Sequence, residues 1–309
     1  MSRETFVTGQ FRWEVTHFFT TADILAPPHH SRDDVSPRAP FHEQLAGAQR
    51  ANHSLLCVGL DPLPEAMPNA PQSPADVLAF CCAVVDAVAD VVSAFKPQHA
   101  HFAALGAEAE LAELIRYVHE RYSGVPVILD AKRGDVGSTA ERYAVEAFER
   151  YGADAVTVNP YLGPESLQPF LRRVDRGTLV LCRTSNPESA WLQGYPTDDP
   201  AYLRVARAAR DWNVAGNVLL VVGATYPDEL RRIRAVVGEM TLLVPGVGTQ
   251  GGEVEAVVEA GLNGAGDGLI INASRSVLYA SRGADFAQAS RDAAVQLREQ
   301  INAARSSVG

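Results

Sequence analysis

An α/β fold of the (β/α)8 barrel class, a TIM barrel, is predicted by three observations. Eight short apolar runs recur along the chain, segments with helical spacing separate them, and residues 41–309 have the length such a barrel needs. A strand–helix alternation of this kind makes parallel strands joined by right-handed crossovers, and eight is the number that closes the sheet.

Residues 1–40 stand apart from this rhythm. ETFVTGQFRWEVTHFF has aromatics without a period, and APPHHSRDDVSPRAP is dense in proline and charge, so a loosely attached N-terminal extension is expected ahead of the barrel domain at 41–309. The first strand is SLLCVGL (54–60), followed by GLDPLPEAMP, whose prolines and lack of GxGxxG argue against an open dinucleotide-binding sheet, the alternative architecture. SAFKP (93–97), VPVILD (125–130), AVTVN (155–159) and TLVLCRT (178–184) supply strands two to five. NVLLVVG (217–223), TLLVPGV (241–247) and GDGLIIN (266–272) complete the set. The intervening ADVLAFCCAVVDAVADVV, EAELAELIRYVHERY, TAERYAVEAFERYG, YLRVARAARDWNV and PDELRRIRAVVGE carry apolar residues at helical spacing.

Bulk properties narrow the function. A net charge of −10 argues against a nucleic-acid surface, though a local anion site is compatible with it. No run reaches the ~18 apolar residues of a membrane helix, and no secretion signal opens the chain, so a cytoplasmic protein without membrane partners is expected. Cys57, Cys81, Cys82 and Cys182 lie in apolar runs without CxxC spacing and read as small core residues, with neither a disulfide framework nor a zinc site.

Catalytic groups of such barrels sit at the C-terminal strand ends, because all eight strand-to-helix loops open there. Strand one ends in Asp61, strand two in Lys96, and strand three in Asp130 and Lys132 with Asp135 just beyond. Strand four ends in Asn159, strand five in Arg183-Thr184-Ser185-Asn186. Each has an ordinary reading: Asp61 as a helix cap, Lys96 as a solvated loop lysine, and Asp130 and Asp135 as rim partners of Lys132 and Arg133. Their convergence from three consecutive strands favours a functional charge cluster. PGVGTQGG (245–252) and NASRS (272–276), after strands seven and eight, occupy the usual phosphate position of the fold. Glycine backbone there can approach an anion, the Gln250 amide can donate, and Arg275 can clamp phosphate oxygens.

These residues resemble the orotidine 5′-phosphate decarboxylase family, in its bacterial branch with DAKRGD. The resemblance runs from CVGLDPLPEAMP (57–68) through FKPQHAHFAALG (95–106), LDAKRGDVGSTAERYA (129–144), VTVNPYLGPES (156–166), CRTSNPES (182–189) and VPGVGTQGG (244–252) to INASRSVLYAS (271–281). It implies decarboxylation of orotidine 5′-phosphate to uridine 5′-phosphate, the last step of de novo pyrimidine nucleotide synthesis, without metal or organic cofactor. By the same resemblance Lys132 protonates C6, Asp130 lies beside the substrate carboxylate, and Asp61 and Lys96 hold ribose hydroxyls. Asp135 and Thr139 reach into a partner's site in a homodimer. Ser185 contacts the base, Pro245 walls the pocket, Gln250, Gly251 and Arg275 take the phosphate, and Asn159 lines the substrate site. Two alternatives remain at this point. A metal-dependent sugar-phosphate lyase on a related barrel would want an acid where Lys96 stands, and a non-catalytic nucleotide-binding barrel would tolerate loss of Asp130 or Lys132, both of which are present.

Overall fold

The structure, a computed structural model, describes residues 38–247 and 251–308. Its eight strands are Leu56–Leu60 (β1), Ala94–Pro97 (β2), Ile128–Arg133 (β3), Ala155–Val158 (β4), Gly177–Arg183 (β5), Val218–Val222 (β6), Leu242–Pro245 (β7) and Leu269–Ala273 (β8). They pair in parallel in the order β2-β1-β8-β7-β6-β5-β4-β3. Bridges Phe95↔Val127 and Gln98↔Asp130 join β2 to β3 and close the barrel.

Alternation along each strand sorts the interior into layers. Cys57, Ala94, Ile128, Ala155, Leu179, Leu219, Leu243 and Ile270, one from each strand, form a single buried apolar cluster. Two residues further along, the same inward face carries Gly59, Lys96, Asp130, Thr157 and Asn272. The barrel is thus dry below and, on the side of β1 to β4 and β8, polar above, and this stacking positions the site. Helices packed outside the sheet bury a second, larger apolar cluster, which includes Val84, Leu114, Ile233, Val257 and Ile301.

Two features depart from the expected strand–helix rhythm. A helix, Phe41–Ala51, precedes β1, and its Phe41 and Leu45 insert into the apolar layer and seal the barrel floor. Burying two such side chains stabilises by about 1.5–3 kcal/mol each. After β4, only the short turns Pro160–Leu162, Pro164–Ser166 and Gln168–Leu171 form, because Pro160, Gly163, Pro164 and Pro169 interrupt any longer helix. Residues 1–37 lie outside the described residues. Arg38 is joined to the barrel through Asp154. All four cysteines are free; Cys57, Cys81 and Cys182 are buried and Cys82 is half-buried. Among the described residues, no helix is long and apolar enough to cross a membrane.

The floor has its own buried carboxylate. Asp154 accepts hydrogen bonds from Arg38 Nε at 2.8 Å, His119 Nε2 at 2.9 Å, Val127 N at 2.9 Å and Gln44 Nε2 at 3.2 Å. Burial by itself would raise its pKa; the His119 hydrogen bond and charge, then the Arg38 charge, hold it below the ordinary carboxylate value. A depressed folded pKa means the stabilisation is complete above the unfolded value of about 3.9 and is lost as pH falls through the folded one. Asp154→Ala is expected to lower unfolding free energy at pH 7 by about 3 kcal/mol, the lower end for breaking a buried pair, since its cations can still reach water. Denaturant titration should find this gap narrowing toward pH 3, with turnover of the folded variant unchanged. A gap independent of pH would contradict the assignment.

Candidate active site

The polar layer of the barrel becomes a charge cluster where β2, β3 and β4 meet. Lys96 Nζ donates to Asp130 Oδ2 at 2.7 Å, and Lys132 Nζ donates to Asp130 Oδ1 at 2.6 Å. Thr157 Oγ1 donates to the same Oδ1 at 2.9 Å. Lys96 is 3% exposed and Asp130 7%, whereas the Lys132 side chain is 45% exposed and faces the open mouth. One carboxylate is therefore held between two ammonium groups, one buried and one accessible. Burial opposes charge on both buried members. For Asp130 the charges of Lys96 and Lys132 and their hydrogen bonds overcome it, and the carboxyl is held well below its usual range. For Lys96 the opposing burial is outweighed by Asp130 and then Asp61, and the ammonium is held above its usual value.

Backbone geometry explains how two side chains only two residues apart reach one another. Leu129 pairs with Val156 and Arg133 with Val158, so β3 spends four steps where β4 spends two. The surplus arches outward, and Lys132 sits at its crest with φ +46°, a left-handed conformation uncommon for a residue with a side chain. The arch leaves two backbone N–H groups without ladder partners. Ala131 N and Lys132 N donate instead to Thr157 Oγ1, at 3.1 and 2.9 Å.

The remaining predicted residues surround this cluster in different ways. Asp61 follows β1 and caps no helix; the next long helix begins at Pro74, with Ser73 as its cap. Its Oδ1 is a buried acceptor without a hydrogen-bond partner among the described residues, while Tyr279 Oη donates to its backbone carbonyl at 2.8 Å. Asp135 lies past the arch and accepts from Val136 N at 2.7 Å; among the described residues no ion pair joins it to Lys132. Thr139 is exposed in the first turn of the helix Gly137–Val145. Asn159 Oδ1 accepts from Tyr161 N at 3.0 Å and caps the turn after β4.

Ser185, after β5, lies close against Gly223, just past β6, where a Cβ would lie 2.7 Å from the Ser185 backbone, so only glycine admits that approach. Pro245 ends β7 in register with Asn272. Arg275 opens the short helix Arg275–Leu278 after β8; it is exposed, and among the described residues no carboxylate pairs with it. Gln250 lies outside the described residues, and Gly251 begins the helix Gly251–Gly261.

Three site residues escape a reading of strand ends. Thr157 organises the arch. Asn272 is 5% exposed, with its Oδ1 unpartnered and its Nδ2 donating to Ser274 Oγ at 3.3 Å. At Gly59 a Cβ would fall 1.9 Å from Ser274 Oγ, so any larger residue there must displace that hydroxyl. Their signal lies in the inward register: Gly59, Thr157 and Asn272 share the face of Lys96 and Asp130.

Comparison with known proteins gives a consistent result. The profile of the "Orotidine 5′-phosphate decarboxylase / HUMPS family" matches residues 54–290. The orotidine 5′-phosphate decarboxylase of Ralstonia pickettii (strain 12J) is 57% identical over 265 residues, spanning 85% of this chain and 98% of its own length. That of Azoarcus sp. (strain BH72) is 56% identical over 268 residues, 86% of this chain and 99% of its own. The solved structure of Leishmania donovani OMP decarboxylase superimposes with a TM-score of 0.76 at 41% identity, covering 86% of this chain and 99% of that one.

Proposed function

The chain belongs to the orotidine 5′-phosphate decarboxylase family, and from that membership we infer that it converts orotidine 5′-phosphate to uridine 5′-phosphate, the last step of de novo UMP synthesis. The observation that carries the mechanism is the Lys96–Asp130–Lys132 cluster at the mouth.

Loss of CO₂ from C6 leaves an electron pair on an sp² ring carbon with no adjacent carbonyl to delocalise it well, so the barrier is largely electrostatic. The Lys132 ammonium meets that charge as it develops and then delivers its proton to C6, uniting charge stabilisation with general acid catalysis. Asp130 holds Lys132 in place and lies beside the departing carboxylate. Asp61, whose buried Oδ1 has no hydrogen-bond partner among the described residues, accepts from a ribose hydroxyl, and Lys96 donates to one. Ser185 contacts the base and Pro245 walls the pocket. Arg275, Gln250 and the Gly251 backbone take the phosphate. Asn159, with its oxygen engaged by Tyr161 N, offers the substrate its amide N–H groups. None of these steps calls on a metal or organic cofactor.

Asp135 and Thr139 act on a second copy's site in a homodimer. Both lie on a rim that also presents Val136, Tyr161 and Leu162, which are 48%, 75% and 46% exposed, an apolar surface suited to a second subunit.

Absorbance of orotidylate incubated with EDTA-treated protein tests the reading. Steady decarboxylation without added Mg²⁺ is expected, and a requirement for Mg²⁺ would overturn it. Arg275→Ala should raise KM about 10- to 150-fold, the equivalent of about 1.5–3 kcal/mol for a charge-assisted contact, with kcat less affected. Unchanged KM and kcat would remove the phosphate assignment.

A further inference from the structure

The arch that presents Lys132 needs an anchor at its far end. Its near end is fixed by the Leu129↔Val156 pairing and its middle by Thr157. At the far end stands Arg133, whose side chain turns away from the substrate cavity into a cluster of its own. Nε and Nη2 grip Glu146 Oε2 and Oε1 at 2.8 and 3.0 Å, a two-pronged geometry that only a guanidinium supplies. The guanidinium carbon lies 4.8 Å from the centre of the Tyr143 ring, three residues before Glu146 on the same helical face. Nη2 also reaches His99 Nε2 at 3.2 Å, and Tyr151 Oη lies 3.2 Å from the same nitrogen. His99 opens the short helix His99–Ala104 after β2, so the cluster ties that helix, the end of β3 and the helix after β3 together. Arg133, Glu146 and His99 side chains are 18%, 20% and 15% exposed, largely shielded from competing water.

Local structure at Glu146 points the same way. The helix that starts at Gly137 opens at Glu146–Arg150 into a π turn, a widened geometry that recurs at functional sites. The Arg133 carbonyl accepts from Asn159 N at 2.7 Å, so the backbone of Arg133 is held on β4 as its side chain is held on the helix. A left-handed lysine persists only where its surroundings over-determine it. Releasing one end would let β3 slip toward ordinary pairing, and a slip of one residue turns a side chain to the opposite face of the sheet.

We propose that Arg133, through its paired grip on Glu146 and its contacts with His99 and Tyr143, is a positioning residue that holds Lys132 at the crest of the β3 arch and so sets the rate of proton delivery without touching substrate. The assignment rests on Lys132 as the proton donor.

The test compares Arg133→Met, Arg133→Ala and Glu146→Gln with the parent enzyme and with Lys132→Ala, by steady-state kinetics and by affinity for UMP. Arg133→Met is expected to lower kcat about 100-fold while KM and UMP affinity stay within twofold, and Glu146→Gln to give a smaller loss of the same kind. Millimolar guanidinium should restore part of the kcat of Arg133→Ala. A merely structural arginine predicts instead an unchanged kcat per folded molecule, or KM and kcat failing together without rescue, and either overturns the proposal. Should Arg133→Met not fold, Glu146→Gln decides alone by the same kcat-against-KM criterion. Full turnover in Lys132→Ala would instead defeat the proton-donor reading, a result separable from any obtained with Arg133.

Discussion

Lys132→Ala is expected to lower kcat by at least about a thousandfold while leaving affinity for the nucleotide measurable. A unit charge about 4 Å from a developing carbanion, at an effective dielectric of about 20, contributes roughly 4 kcal/mol, which is about three decades in rate. Loss of the positioned acid removes about two to four further decades where protonation limits the reaction. The variant should still fold around an intact pocket. Asp130 retains Lys96 Nζ at 2.7 Å and Thr157 Oγ1 at 2.9 Å, so it stays ionised and satisfied when Lys132 is truncated. Binding of UMP, which depends on groups at other strand ends, separates the two effects. Turnover within tenfold of the parent would sink the assignment of Lys132.

Asp135→Asn should be nearly as damaging, and its loss should be reversible in an unusual way. Among the described residues of its own chain Asp135 accepts only a local hydrogen bond from Val136 N and makes no ion pair with Lys132. Its carboxylate is therefore free to complete a site on a second copy. Two-fold symmetry then makes a sharp demand. Mixing inactive Lys132→Ala subunits with inactive Asp135→Asn subunits produces hybrid dimers in which one site has both defects and the other has none. Random exchange of equal amounts should recover about a quarter of parental activity, because half the dimers are hybrid and each carries one working site. Verified exchange without recovered activity would refute the shared site.

Much of this arrangement is legible in the sequence, for identifiable reasons. Strands of a closed parallel barrel are buried on both faces and read as continuous apolar runs, so all eight stand out. Charges that end such runs, as at Lys96, Asp130 and Lys132, are conspicuous because the surrounding pattern forbids them. Thr157 and Asn272 escape notice because a threonine or asparagine near a strand end is ordinary; only the inward register, fixed by pairing partners, reveals them. Gly59 looks like any strand glycine until Ser274 is seen to occupy the space of its missing Cβ. The helix Phe41–Ala51 is masked by its proline-rich approach, although Phe41 and Leu45 are spaced to share a face. Arg133 reads as a rim partner of Asp130 or Asp135, and the structure pairs it with neither. Its partner Glu146 is thirteen residues away on the following helix, and no local spacing announces a contact of that kind.

The state of the four thiols has a practical consequence for following this enzyme at work. Burial pushes the Cys57 thiol up to about 12 and that of half-buried Cys82 up to about 11, and it drives Cys81 and Cys182 upward as well. A thiol reacts with alkylating dyes as its thiolate, so near neutral pH all four native sulfurs are poor targets. A single cysteine introduced at exposed Trp191 would therefore take a fluorophore selectively, and the loop after β5 could be watched during turnover without first stripping the chain of its own sulfhydryls.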